Sequence, residues 1–265
     1  MKRIKMGGAF VVVALVMSSV AAASASATLP EFGRCVPSEA KKGEYFGNRC
    51  LKPAGGKGYY NWLPGPGPKN KFAGSIGPVK LETVGGYGVV CSSGDFTGEY
   101  TGPNTESVTL ALVGCLEKVT ERKCETLPIK EGEIETVPIE GGIGFISGGE
   151  KPRVGLDLKP AAPITFECGT GPEVHTFLTL EGSVIGLIKP PSIMRSFFRV
   201  FFTASHGIQN PEKFEDGVKD TLTLQRTTAP DAPISEQAGL TIIGIEEIPK
   251  ALIVENEEPI EIKAR

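Results

Sequence analysis

Glycine and proline interrupt this chain so often that long helices cannot form in its body: 34 glycines and 21 prolines are scattered through 265 residues. Inside a helix, glycine costs about 1 kcal/mol relative to alanine and proline about 3. The runs between these breakers carry the period-two pattern of half-buried strands. Val79, Leu81 and Thr83 alternate with Lys80 and Glu82. Val108, Leu110 and Leu112 alternate with Thr109 and Ala111, and Val154, Leu156 and Leu158 with Gly155, Asp157 and Lys159. Leu222 and Leu224 alternate with Thr221, Thr223 and Gln225; Ile260 and Ile262 alternate with Glu261 and Lys263. Turn residues separate these runs at short intervals. The pattern predicts an all-β chain, a sandwich or barrel of many short strands. Its heaviest strand is RSFFRVFFTA, Arg195 to Ala204, apolar on both faces and therefore central. Ser235 to Ala238 could make one helical turn.

The first residues follow a different logic. Lys2, Arg3 and Lys5 precede an apolar stretch from Gly7 to Ala23, and small residues end in Ala25-Ser26-Ala27. This is the order of a secretory signal peptide. Residues 1–27 are read as that peptide, cut after Ala27, with a cut after Ala25 as the alternative. The apolar run is short for a bilayer-spanning helix, which needs about 20 residues. No second apolar run of that length follows, so the mature chain is expected to have no membrane span. The expected localisation is secreted, extracellular. The mature part, residues 28–265, divides into a small disulfide-tied N-terminal segment, 28–68, and a β domain, 69–265.

Charge narrows the partners. The whole chain is at −3, and the leader carries three basic residues and no acidic one, so the mature chain stands at −6. No basic block remains to follow a phosphate backbone, which argues against nucleic acid.

All six cysteines follow the predicted cut: Cys35, Cys50, Cys91, Cys115, Cys124 and Cys168. An even number in an exported chain predicts three disulfides. There is no C-x-x-C and no histidine cluster, so neither a metal nor a cofactor is expected. Cys91 and Cys168 each end a run whose alternate residues are apolar, so two such strands, side by side or on facing sheets, would bring their sulfurs together. Cys115 and Cys124 bracket an eight-residue polar loop. The expected pairs are therefore 35–50, 91–168 and 115–124.

The stretch CSSGDFTGEYTGPNT, Cys91 to Thr105, has the composition of a nucleophile loop. If Cys91 is in a disulfide it is no nucleophile, and the stretch reads as a Gly- and Asx-rich connection leaving a pinned strand. No G-x-S-x-G, H-E-x-x-H or phosphate-cradling glycine loop occurs. SEAK, Ser38 to Lys41, matches S-x-x-K without its companion motifs. The two histidines are His175, on a strand facing with Phe177, and His206, at a strand end before a glycine. Glu246-Glu247 and Glu257-Glu258 are adjacent on β-like runs, so each pair splits between two faces. The strongest binding candidates are Tyr45, Tyr59, Tyr60 and Trp62, beside a Pro-Gly run. Such aromatics either stack on sugar rings or build a small core.

The motifs LPEFGRCV, GEYTGPNT, LVGCLE, VGLDLKP, FECG, EGSVIGLI and EQAGLT occur in this order across the mature chain. The layout resembles a group of secreted, uncharacterised, disulfide-containing β-rich proteins of high-GC Gram-positive soil bacteria. The resemblance implies export and a shared architecture, and no activity. The sequence thus leads to an exported, non-catalytic extracellular or cell-envelope protein with a binding or structural role and a possible glycan or protein partner. The alternatives are a carbohydrate-binding module using the aromatic group and a secreted hydrolase with His206 or His175 as base.

Overall fold

The computed structural model describes residues 30–39, 41–128, 132–169, 175–228, 230–244 and 250–264. The expected leader, its cut after Ala27 and the Glu246-Glu247 pair lie outside them. The described residues form strands and no helix. Ser235 to Ala238 belongs to the strand Ile234–Ile242, not to a helical turn. Pairing on both sides, to Val79–Thr83 and to Thr223–Thr228, overrides the local preference.

The architecture is an eight-legged, up-and-down antiparallel barrel in which every leg is broken, leg four twice and the others once. Leg one comprises Lys71–Ile76 and Val79–Thr83; leg two, Gly88–Cys91 and Ser93–Tyr100; leg three, Thr105–Val113 and Leu116–Glu117. Leg four comprises Cys124–Glu125, Glu133–Glu135 and Ile139–Ser147; leg five, Arg153–Pro160 and Ile164–Cys168. Leg six comprises Thr176–Glu181 and Val184–Lys189; leg seven, Arg195–Phe201 and Thr223–Thr228; leg eight, Ile234–Ile242 and Leu252–Lys263. One half of each leg joins a ring in which each strand pairs with its sequence neighbours, and leg eight closes onto leg one through Glu255↔Ala73 and Asn256↔Phe72. The other halves form a second ring in the same order. That ring closes between legs three and four by the Leu116↔Lys123 bridge and the bond from Cys124 N–H to Cys115 O, 2.9 Å. The two rings are therefore stacked lobes of one barrel with a waist between them. The breaks fall where the chain carries Gly77-Pro78, Gly114, Pro160 to Pro163 and Gly182, residues that weaken or end a ladder. Closure leaves the barrel without open edges.

Alternation fixes which side chains fill it. Val79, Leu81 and Thr83 are buried inside, while Lys80 and Glu82 face out. Val154, Leu156 and Leu158 are likewise interior. An apolar interior with charges outside is the reverse of the arrangement by which membrane barrels face lipid. No helix among the described residues is long and apolar enough to cross a membrane. The heaviest strand is Arg195–Phe201, paired on both sides as expected. Phe198, Val200 and Phe202 enter the core. The outward Phe197 and Phe201 are covered by cations: Arg195 and Arg199 lie 5.9 and 5.7 Å from the Phe197 ring, and Lys189 lies 5.4 Å from Phe201.

The N-terminal strands Glu31–Pro37, Gly43–Tyr45, Pro53–Gly58 and Tyr60–Pro64 extend this sheet instead of standing apart. Glu31–Gly33 pairs with the end of leg eight, Glu31↔Lys263 through Gly33↔Glu261. Phe32, fully buried, packs 4.6 Å from Tyr100 and enters the core of that lobe, the terminal lobe.

Two expectations are corrected. The disulfides are 35–50, 91–115 and 124–168; the pairs 91–168 and 115–124 do not form. Cys91, Cys115, Cys124 and Cys168 make one row across legs two to five. Cys91 and Cys168 are three strands apart, about 14 Å at ordinary strand spacing, far beyond disulfide reach. Bridging 115–124 would strand both outer sulfurs, whereas pairing outward satisfies all four. The stretch Cys91 to Thr105 is also mostly strand, Ser93–Tyr100, with only Thr101 to Asn104 turning. Gly94, Phe96, Gly98 and Tyr100 face in while Ser93, Asp95, Thr97 and Glu99 face out, a period hidden by the missing glycine side chains.

Candidate functional site

The chemistry-bearing residues fall into four places. At the far end of the terminal lobe, Tyr100 and Glu106 face each other across legs two and three inside the barrel. The Tyr100 hydroxyl donates to Asn256 Oδ1 at 2.6 Å. Burial pushes the Glu106 carboxyl up to about 8 and the Tyr100 phenol well above its ordinary value. Glu106 Oε2 has no hydrogen-bond partner among the described residues, which is costly for a charge and favours the protonated form.

The other lobe, the cystine lobe, ends in a denser polar cluster. Arg122 donates from Nη2 and Nε to Glu117 Oε2, at 2.6 and 2.9 Å, and from Nη2 to Thr176 Oγ1 at 3.1 Å. Thr120 also donates to Glu117. Burial alone would raise the Glu117 carboxyl, but these bonds and the Arg122 charge hold it below the ordinary range. The Arg226 guanidinium lies 5.1 Å over the Tyr87 ring, and Thr83 donates to Glu236 at 2.9 Å. The cluster draws on legs one, three, six, seven and eight, on the turn before leg two and on the turn after leg three.

The third place is an open groove of about 670 Å³ along legs two to five, lined by Glu99, Glu106, Ser107, Glu140, Asp157 and Lys159 among others. Burial raises the Asp157 carboxyl. Burial, then the charges of Asp157 and Glu212, push Asp220 to about 7. Such a pair could suggest acid–base chemistry. However, Asp157 Oδ1 and both carboxylate oxygens of Asp220 are enclosed, so they are closed to anything occupying the groove.

The fourth is the aromatic group. Trp62 Nε1 donates to Glu31 Oε2 at 3.2 Å, and the ring lies against Gly33, where a Cβ would come within 2.3 Å of it. The Lys263 ammonium sits 4.6 Å from the Trp62 ring and 4.8 Å from that of Tyr45, and donates to the Tyr45 hydroxyl at 3.0 Å. Tyr45 pairs with Tyr60 across the sheet. Tyr59 is the most exposed of the four, at 45%. The group is thus brought together, with Trp62 and Tyr45 already engaged by the chain's own lysine.

The histidines stay apart from these places. His206, at φ 51°, sits in the turn of the small hairpin Ala204–Ser205 and Ile208–Gln209, with Ser205 Oγ 3.0 Å from its Nδ1. His175 lies 3.7 Å from Glu167 and stacks beside Phe177. One has a hydroxyl neighbour and the other a carboxylate. Ser38 donates its backbone N–H to Tyr59 O in an N-terminal turn. Glu257 and Glu258 stand on opposite faces of leg eight, and Glu258 pairs with Arg34 at 3.5 Å. No three metal-ligating side chains come together among the described residues.

Glu106, the Asp157–Asp220 pair and the Tyr87–Glu117–Arg122–Arg226 cluster were not among the candidates visible in the sequence. Polar residues at inward positions of an alternating run were the available signal: Glu106 in TESVTLAL, and Arg226 in TLQRTT. No protein-family model matches the chain, and neither the curated proteins nor the solved structures contain a significant match.

Proposed function

We propose that this chain is an exported, non-catalytic protein of the cell envelope or the extracellular space, with a binding or structural role. The observation that supports it is where the reactive-looking groups are spent. Of the carboxyls with altered acidity, Glu106, Glu117, Asp157 and Asp220 have enclosed oxygens or bonds to other parts of the barrel, and Glu82 is held by Lys80 and Lys118. Three disulfides, two of them across the closed ring, suit an oxidising compartment. The test is to express the full chain in a Gram-positive secretion host. The released protein should begin at Thr28 and sediment with a purified cell-wall fraction. Retention of residues 1–27, or hydrolytic turnover against a panel of ester, peptide and glycoside substrates, would overturn the reading.

A glycan partner is favoured by one observation, the exposed Tyr59 beside half-buried Tyr60 on the N-terminal sheet. Stacking on a sugar ring would use these faces, because Lys263 already covers Trp62. Tyr59→Ala with Tyr60→Ala should abolish sedimentation with the glycan, while Trp62→Ala should weaken it less. Equal binding by wild type and the double variant excludes this partner.

A further inference from the structure

We propose that the waist of the barrel is a binding site for one small apolar molecule, no larger than a short alkyl group. A cavity of about 100 Å³ lies where the legs break, lined by side chains from seven of the eight legs. Seven leucines, among them Leu110, Leu112, Leu180, Leu222 and Leu240, share its wall with isoleucine, valine and Phe202 side chains. The hydroxyl-bearing residue among the lining, Thr136, already accepts the Leu110 N–H at 3.0 Å. A water molecule there would find almost no partner, and apolar cavities of this kind stay dry and take up apolar guests.

Burial along single strands shows that the void belongs to the waist. Leu178 and Leu224, inward in the cystine lobe, are 1% exposed. Leu180, two residues along from Leu178, is also inward yet only half-buried, as are Leu110, Leu112 and Leu240. At the break each leg steps from one ring to the next, so side chains on either side splay instead of interdigitating. An eight-stranded interior is just wide enough to be filled by side chains or to hold one small ligand. Here both happen: the lobes are filled and the waist is not. The half-buried leucines are the route of entry, between the rings.

Size makes the site selective. The cavity equals about three times the ~30 Å³ share of a liquid water, and it is smaller than the ~150 Å³ apolar cavity that accepts benzene. Xenon and butane-sized molecules fit, and benzene does not. The inference does not depend on export or on a glycan partner, since it concerns the barrel interior alone.

The test is methyl-resolved NMR of the folded mature chain, disulfides intact, with xenon and benzene as probes. Xenon should shift the methyls of the seven cavity leucines saturably, and benzene should not. Leu222→Ala should enlarge the site so that benzene binds. If that variant does not fold, Leu240→Phe, at a half-buried position, should fill the site and weaken the xenon response at least tenfold. Absence of a xenon shift overturns the proposal. So does a linear, unsaturable shift equal to that of exposed methyls such as Val119 and Leu127, or a response unchanged in Leu240→Phe.

Discussion

Cys115 and Cys124 are backbone neighbours, joined by an N–H···O bond of 2.9 Å, yet their sulfurs are bonded to Cys91 and Cys168 on the strands outside them. Each bridge therefore closes the open end of a long hairpin, legs two and three or legs four and five, and not the short turn between legs three and four. Sequence separations of 24 and 44 correspond, in the chain-entropy model, to about 3.5 and 4 kcal/mol. Replacing Cys91 and Cys115 together by alanine should lower the urea midpoint accordingly, with 124–168 intact. Peptide mapping without reduction should recover 91 with 115; a linked 115–124 peptide would refute the row.

Lys263 joins the end of leg eight to the N-terminal sheet through two aromatic rings. Lys263→Met keeps the alkyl stem and removes the charge. The expected loss is about 0.5–1 kcal/mol. Because Trp62 is the only tryptophan, its fluorescence reports the change directly. Acrylamide should quench the variant more strongly than wild type, and unchanged quenching would show that the ammonium does not cover the ring.

Glu106 makes stability depend on pH in a defined direction. Its carboxyl binds a proton in the folded state up to about pH 8, against an ordinary value of 4.5. Between these values the folded state holds more protons than the unfolded one, so stability falls as pH rises. At about 1.4 kcal/mol per pH unit the full shift is worth a few kcal/mol. Glu106→Gln should be more stable than wild type at pH 9 and close to it at pH 5, by urea denaturation. Asp220, raised to about 7, acts in the same direction at lower pH; Asp220→Asn separates the two. A midpoint of the Asp220→Asn variant, which keeps Glu106, that rises from pH 5 to 9 would contradict the assignment.

The seam that closes the terminal lobe between legs one and eight is narrow at Gly74. A Cβ there would stand 2.0 Å from the carbonyl oxygen of Ile253 and 2.5 Å from the Phe96 ring. Both neighbours are fixed, one as backbone and one as core. Gly74→Val should destabilise by more than about 3 kcal/mol, the range of overpacked or strained core positions. Hydrogen exchange should show the loss first at the backbone amides of legs one and eight. Wild-type thermal stability in this variant would mean that the seam is not closed as described.

The strands were legible wherever apolar and polar residues alternate, as in Val79 to Thr83 or Val154 to Leu158. They were hidden where glycine occupies the inward positions, as in Ser93–Tyr100. Pairing was less legible, because nothing local says that Cys91 lies beside leg three and three strands from Cys168. The aromatic group was visible from its spacing. The lysine that occupies it was not, because Lys263 lies some two hundred residues away in sequence and arrives through the pairing Glu31↔Lys263. For the same reason the cluster around Glu117 assembles from separate legs, each contributing one inconspicuous residue.

The pairing of Glu31 with Lys263 also sets how the molecule would bear load. The two strand ends meet antiparallel at one corner, so a force drawing them apart peels Glu31, Phe32 and Gly33 from leg eight one pair after another. Peeling of this kind resists far less than shearing a whole strand at once. The Cys35–Cys50 bridge stands directly behind the peeled residues. Tension at the ends would therefore be absorbed as a short, reversible extension, with Phe32 leaving the core while the eight legs stay closed.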